Sequence, residues 1–499
     1  MTNISQKIID TDILVVGGGI AATFAVVKAR AEGLDVTVVD KGTIVLTGFS
    51  PWFGGLAEYD GKSESDRKKL TESRMEGGEG IAIRSYVDMF IDHSAPLADE
   101  ARAWGFTKKD LTNGIAPILR EKVNESGARV IERTMISELI KMDNKVCGAV
   151  GIPMDQEGAI IINAKAVILC SGAGTLKAPG FPGSNCLTHD GDAMAYRVGA
   201  EVSGKEFVDF HWTHWVDPAA AYDNWEDKWG GPISISGAMS RSSGGMDAIR
   251  LPLGAHNGDV PMILGNRSTG RPNPGVREAG LPIVGGGTAG MAPHKCEGVF
   301  PADEKCSSNV PGLYAAGDAL FTFGAAYAGT GFSSACSMVQ GARAGYFAAQ
   351  YAKKQKGPKV TQSAIDEIKE RQFAPLFREK GYSPSWVTQT LQSQFIPYFV
   401  LYIKNEKRLT AALTNILFLK NHFIPKLMAK DLHDLRRAHE VTNMVLNTEM
   451  KVRASLMREE SRGAHYREDF PERDDKKWLA WVIISENNGE MKLTKRSVS

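Results

Sequence analysis

The sequence predicts an α/β fold in which a sheet domain is interrupted by an inserted capping domain and followed by a C-terminal helical domain. Three observations predict it. Ile13 to Val16 is an apolar run broken by Gly17-Gly18-Gly19, then a helical pattern from Ile20 to Glu32 and a second β-rich run from Val36 to Val39. Between Phe207 and Gly287, Pro218, Pro232, Pro252, Pro261, Pro272 and Pro274 leave room for no long helix. After Gly357-Pro358 the chain turns to Leu-, Lys- and Glu-rich helical text. The predicted boundaries are a discontinuous sheet domain over 1–205 and 288–356, a cap over 206–287 and a helical domain over 357–499.

The elements follow in order. Gly33 stops the first helix, so the opening reads strand, tight turn, helix, strand. Tyr59 to Ala116 is polar and helix-like, with Ser63 to Arg74 strongly charged, and reads as a helical excursion from the sheet. β-rich segments return at Ala128 to Ile131, Val146 to Ile152 and Ala159 to Leu169, the last ending in Cys170-Ser171-Gly172-Ala173-Gly174. Beyond the cap, Val310 to Ala316 resumes a strand signal, Gly331 to Gln350 is a small-residue helix, and helices continue to about Trp481.

Composition narrows the function. A chain of 499 residues is too long for one compact core. Lys plus Arg (59) nearly equals Asp plus Glu (58), which removes the broad field that nucleic acid or an anionic membrane would exploit. No apolar stretch approaches the roughly 18 residues of a membrane span and Met1 to Asp10 has no apolar leader core, so the expected place is the cytoplasm. The cysteines, Cys147, Cys170, Cys186, Cys296, Cys306 and Cys336, show no C-x-x-C spacing. That argues against a disulfide framework and against an iron–sulfur cluster held by this chain alone. Cys296 and Cys306 are either a redox pair or free buried thiols.

A dinucleotide needs backbone N–H groups close to its pyrophosphate, and glycine at the turn permits that approach. Gly17 and Gly19 supply it, with Ile20, Ala21 and Ala22 opening the helix and Ala22 at the third small position of G-x-G-x-x-G/A. Asp40 ends the next strand, where a carboxylate accepts from ribose hydroxyls. This is a Rossmann-like arrangement. A second match, Gly285-x-Gly287-x-x-Gly290, has little strand before it and Pro293 after it; those glycines more readily let backbone approach a planar ligand. Gly312-Leu-Tyr-Ala-Ala-Gly317-Asp318 is a short strand that puts Asp318 on the ribityl or phosphate part of an extended cofactor, which favours FAD over NAD.

Together with these segments, Thr188-His-Asp-Gly-Asp192 through Ala200, Glu206-Phe-Val-Asp-Phe210-His211, and Arg458-Glu-Glu-Ser461-Arg462-Gly463-Ala464-His465 through Asp475 carry a resemblance. The chain resembles the flavoprotein subunits of the fumarate reductase, succinate dehydrogenase, L-aspartate oxidase and adenylylsulfate reductase superfamily over nearly its whole length. Read without the resemblance, Arg458 to Asp475 could be a solvated charge run. The resemblance implies a Rossmann-like FAD-binding domain, and FAD contacts from Lys41, Gly48, Ser50, Gly54, Gly55, Ser171, Gly172, Asp192, Ser333 and Ser334 besides those already given.

Departures from the family are as informative. Succinate dehydrogenases tether FAD through a histidine; ungapped alignment puts Gly48 there, which implies noncovalent FAD. Where the dicarboxylate enzymes carry an arginine beside the flavin, this chain reads Gly324-Ala-Ala-Tyr327-Ala-Gly-Thr-Gly331, and Leu281-Pro282 replaces a second family histidine. Two groups that clamp a C4 dicarboxylate are thus missing. Arg267 and Arg271 are the available proton-shuttle arginines, His211 and His294 the acid/base candidates, and Tyr327 a donor to a carbonyl or phenolate oxygen. His211, Trp212, His214, Trp215, Tyr222, Trp225 and Trp229 form either the core of a small cap or an aromatic-walled pocket for a substrate that stacks.

The expected activity is hydride exchange between flavin N5 and a small-molecule substrate that is not a simple C4 dicarboxylate. Tyr327 to Ala348 is similar to the corresponding part of adenylylsulfate reductase flavoproteins, which implies that a ferredoxin-like iron–sulfur subunit is the partner. The alternatives are a self-contained alkene reductase or oxidase and a non-catalytic flavin-binding assembly protein.

Overall fold

A computed structural model describes residues 4–52, 56–59, 61–106, 115–178, 184–208, 210–212, 291–293, 298–322 and 332–498. The chain opens with β1 (Gln6–Val16), α1 (Ile20–Ala31) and β2 (Val36–Val39), then α2 (Glu64–Gly77), α3 (Arg84–Ala103) and α4 (Ala116–Glu125). β3 (Arg129–Ile131), β4 (Thr134–Met142), β5 (Lys145–Pro153) and β6 (Ala159–Leu169) follow, then α5 (Asp190–Arg197), β7 (Val202–Ser203), β8 (Phe210–Trp212), β9 (Met291–Pro293) and β10 (Leu313–Ala315). The remaining helices are α6 (Phe332–Ala352), α7 (Gln362–Phe373), α8 (Pro384–Phe395), α9 (Tyr398–Leu401), α10 (Glu406–Phe418), α11 (Leu432–Met457) and α12 (Asp475–Trp478). Between them lie β11 (Ile403–Lys404) and β12 (Tyr466–Arg467), and the described chain closes on β13 (Ala480–Asn487) and β14 (Glu490–Ser497).

The main sheet runs β3-β2-β1-β6-β5-β4, with β10 also on β6. β6 forks. Its first half pairs antiparallel with β5, from Ile160 to Asn163, and its end, Val167 to Leu169, pairs parallel with β10. β1 runs parallel beside the whole of β6, so the carboxyl ends of β1, β2, β6 and β10 emerge on one rim. Their buried aliphatic side chains make the largest core.

α6 lies on α1 through small residues. A Cβ at Gly341 would fall 2.2 Å from the Ala21 carbonyl, and one at Gly345 2.3 Å from that of Ala25. This spacing of four puts both glycines on one helix face, so the backbones touch and α6 starts beside the rim. The small-residue helix thus has a packing reason that also positions its first turn.

Three features differ from the sequence reading. β1 begins seven residues before Ile13, because its first half is held by β6 although several of its side chains are exposed. β4 is an additional strand; Asp143 and Asn144, both with positive φ, make a two-residue turn that folds it onto β5. The C-terminal segment also contains a hairpin: Asn488-Gly489, again with positive φ, joins β13 to β14, and β13 pairs with β7.

Arg458 to Arg467 is largely buried rather than a solvated run, while most of Asp469 to Asp475 is exposed. Arg458, Arg462 and Arg467 are at most 1% exposed. Arg458 donates to Glu206 Oε1 at 2.9 Å and Glu460 Oε1 at 2.7 Å; Arg462 donates to Glu460, Asp475 and the Glu79 carbonyl; Arg467 grips Asp469. Buried guanidinium is tolerated because each fork meets carboxylates or carbonyls, and the network ties Glu206 to the C-terminal region. Among the described residues no helix is long and apolar enough to cross a membrane.

Candidate functional site

The rim of the sheet opens into a cleft lined by Val16 to Ala21, Val39 to Lys41, Thr47 to Ser50, Cys170 to Ala173 and Ala316 to Asp318, with Ser333, Ser334 and Ser337 from α6. It crosses the carboxyl ends of β1, β2, β6 and β10, the place where open α/β sheets bind ligands. The sequence candidates Gly17, Gly19, Ile20, Ala21, Asp40, Lys41, Gly48, Ser50, Ser171, Gly172, Asp318, Ser333 and Ser334 all line it. They come from six separate segments of the chain.

The glycine turn has local reasons. Gly17 has φ +104° and a Cβ there would sit 2.2 Å from the Cys170 carbonyl, so only glycine lets β1 turn against the end of β6. α1 then starts at Gly19, with no side-chain cap and no acidic residue in its first turn; the Ile20 N–H donates to Ser50 Oγ at 2.9 Å. The positive end of the helix dipole therefore faces the cleft unopposed by any carboxylate of its own first turn, as an anionic diphosphate requires.

Asp40 is buried at the cleft wall, and Gly42 N donates to its Oδ1 at 2.7 Å. Burial raises its carboxyl above the ordinary range, against the lowering effect of the Gly42 and Thr47 hydrogen bonds. An ionised carboxylate has about four lone-pair sites, which leaves capacity for a ribose. At the far side Asp318 Oδ1 accepts from Ser333 Oγ at 3.1 Å, joining the turn after β10 to the start of α6. Cys170 also lines the cleft, but burial, with Cys306 nearby, pushes its thiol far up, so it is no thiolate nucleophile.

Lys41 lines the cleft, and its ammonium is also held by neighbouring side chains. Its Nζ meets Thr188 Oγ1 at 2.6 Å, Asp190 Oδ2 at 2.7 Å and Glu440 Oε1 at 2.9 Å. Burial would lower its pKa, but the two carboxylates outweigh burial and raise it. Asp190 and Glu440 are site residues the sequence reading missed; Asp190 lies inside a quoted motif, whereas Glu440 is some 400 positions away and no local signal marks it. Thr134, Met135 and Ile136 were missed with β4, and Cys186, Leu187 and Met194 also line the cleft.

Two cofactor candidates do not line it. Ala22 is 1% exposed in the main core, where its small size serves helix packing. Asp192 is buried on α5 and pairs with Lys205 Nζ and with His189 Nδ1 at 3.2 Å. His211 lies on β8, opposite Ala292 of β9. Tyr327, Arg267, Arg271, His294, Gly54, Gly55 and the Gly285 to Gly290 match lie outside the described residues.

The residues fit an FAD. An extended dinucleotide needs an unopposed helix N-terminus for its diphosphate and polar groups at both ends, and the cleft offers α1 between Asp40 and the Asp318–Ser333 pair. A Cβ at Gly48 would meet nothing within 4 Å, so this position of the wall is open space.

Comparison with known proteins agrees. Residues 12–180 match the FAD dependent oxidoreductase family, and residues 396–499 match the fumarate reductase flavoprotein C-terminal family. An uncharacterized FAD-dependent oxidoreductase of Methanocaldococcus jannaschii is 26% identical over 95% of this chain and 96% of its own. The fumarate reductase flavoprotein of Mycobacterium tuberculosis is 25% identical over 97% of this chain and 96% of its own. In fold, adenylylsulfate reductase from Archaeoglobus fulgidus superposes with a TM-score of 0.77 at 21% identity, covering 100% of this chain and 97% of that one.

Proposed function

We propose that this chain, an FAD-dependent oxidoreductase of the fumarate reductase and adenylylsulfate reductase family, acts in the cytoplasm on a substrate other than a simple C4 dicarboxylate, as a subunit that exchanges electrons with an iron–sulfur partner. The cleft that runs from Asp40 past the Gly17 turn to Asp318 and Ser333 is the observation that carries this reading. FAD, when bound, supplies hydride exchange at its flavin ring. Gly17 to Gly19 and the first turn of α1 hold the diphosphate, Asp40 accepts from the ribose, and Asp318 with Ser333 fixes the opposite part. Ser171 and Gly172 form the floor, and Gly48 leaves the cofactor untethered.

At the substrate side, His211 moves the proton that accompanies the hydride, with Arg267, Arg271 and His294 as the other candidate proton carriers and Tyr327 as a hydrogen-bond donor. Tyr327 and Leu281-Pro282, in place of carboxylate-binding groups, support a substrate with a carbonyl, phenolate or aromatic character. The cysteine spacing supports an electron carrier outside this chain.

The test is turnover by FAD-loaded protein with a reduced viologen and fumarate, or with succinate and a dye acceptor. The expected result is a flavin that reduces and reoxidises with the dyes but no dicarboxylate turnover; rates on the order of 10 s⁻¹, ordinary for an enzyme, would overturn the substrate reading. Purification from the native host should bring down an iron-containing protein. Full turnover by the lone chain with only a soluble nicotinamide would overturn the partner.

A further inference from the structure

We propose that a second pocket, between α8 and α11 behind the cofactor cleft, binds a small oxyanion of the phosphate type. It is an open pocket of about 380 Å³ walled by Lys177, His433, Arg436 and Arg437, with Ser385 and Gln389 of α8 facing them; among the described residues none that lines it is acidic. The two cavities share a wall, since Asn185 lines this one and Cys186 the cleft.

Arg436 is the centre of the argument. Its Nε is buried with no hydrogen-bond partner among the described residues, and Glu440 Oε1 stands 3.9 Å away. Its Nη1 donates only to Cys186 Sγ, at 3.9 Å, and sulfur is a weak acceptor. Glu440 already meets two ammonium groups, Lys41 Nζ on Oε1 at 2.9 Å and Lys177 Nζ on Oε2, and stands beyond hydrogen-bond distance of Arg436. Lys41, Lys177 and Arg436 therefore crowd around Glu440 and Asp190, three cations to two carboxylates, before Arg437 is added.

Arg437 reaches Asp434 only at 3.9 Å. Lys177 registers the excess of positive charge. Its ammonium is held below the ordinary lysine range by burial first, against Glu440, and Lys41 and Arg436 push the same way as burial. A guanidinium with unanswered donors beside an ammonium and a second guanidinium matches a tetrahedral oxyanion, which accepts several hydrogen bonds at once and returns the missing negative charge. The amide of Gln392 is already spent on the carbonyls of Leu176 and Lys177, which fixes that side of the pocket.

The experiment uses FAD-loaded protein, so that the diphosphate cradle is filled and cannot account for binding. Inorganic phosphate and glycerol phosphate are titrated by calorimetry in low-salt buffer. Saturable binding at millimolar concentration or below is expected; tighter binding of the ester assigns a phosphorylated metabolite, and equal or tighter binding of the inorganic ion assigns free phosphate. Arg436→Gln should weaken binding at least tenfold with flavin content per chain unchanged. Gln389→Glu, an exposed change that places a carboxylate in the wall, should do the same without touching a buried group. Absence of saturable binding, or equal affinity in both variants, overturns the proposal.

Discussion

Replacing Glu440 by Gln tests the ion cluster that fastens α11 to the cofactor cleft. The Glu440 side chain is fully buried and answers two ammonium groups, Lys41 and Lys177. Burial acts first and would raise its carboxyl, but Lys41, Lys177 and Arg436 outweigh it and hold the pKa at about 2 instead of 4.5. At roughly 1.4 kcal/mol for each tenfold in proton affinity, that lowering is worth about 3 kcal/mol. Removing one partner of a buried pair costs about 3–5 kcal/mol by a separate route, because the cations left behind stay desolvated. Glu440→Gln should therefore destabilise the FAD-loaded protein by about 3 kcal/mol at neutral pH.

The pH dependence has a definite sign. A carboxyl lowered on folding contributes fully above its unfolded value of 4.5 and loses that contribution as pH falls through about 2. The gap between wild type and variant should stay flat from neutral pH down to about 5 and narrow below that. Guanidinium denaturation followed by circular dichroism measures it. Adding Lys177→Met to the Glu440→Gln variant removes a stranded ammonium and should recover about 1–2 kcal/mol. A gap below about 1 kcal/mol at neutral pH, or one that widens on acidification, refutes the reasoning.

Three further outcomes are expected. Asp40→Ala should weaken FAD binding by about tenfold to a hundredfold on gel filtration, the loss of a charged hydrogen bond of roughly 1.5–3 kcal/mol; unchanged flavin content would put the ribose contact elsewhere. Acid precipitation should release all the flavin into the supernatant, and flavin left in the pellet would contradict noncovalent binding. Lys404, buried against the Glu206 carbonyl and His465 Nδ1, is pushed down to about 7 by burial, with Arg467, Lys451 and Arg458 adding and Glu206 opposing. Its folded form therefore binds fewer protons than the unfolded chain between about 7 and 10.5, and stability should rise with pH in that window. Lys404→Met should lack this rise, so the midpoint difference between the two proteins must shift toward wild type from neutral to mildly alkaline pH; a constant difference would show that Lys404 keeps its ordinary proton affinity.

Much of the fold was legible because its signals are local. Glycine after an apolar run, a small-residue helix and a carboxylate at the end of the next strand are neighbours in sequence, and each is required by backbone geometry. Two hairpins were equally local, at Asp143-Asn144 and Asn488-Gly489, yet they stand beside strands whose alternation is weak. Thr134 to Met142 is buried on both faces over most of its length, so it shows no period of two. Its neighbours in the sheet, rather than its own pattern, make it a strand.

The sequence by itself determined that the chain carries a glycine-turn nucleotide site and that Gly48 stands where ungapped alignment puts the family's tethering histidine. Only the tertiary structure decided which charges are buried together. Charge pairing depends on distance in space, and no period or spacing records that Glu440 meets Lys41 or that Arg458 meets Glu206. For the same reason it took the fold to join Lys41 to Asp190 and Glu440, to bury Arg458, Arg462 and Arg467, and to leave Arg436 with a buried donor that nothing among the described residues answers.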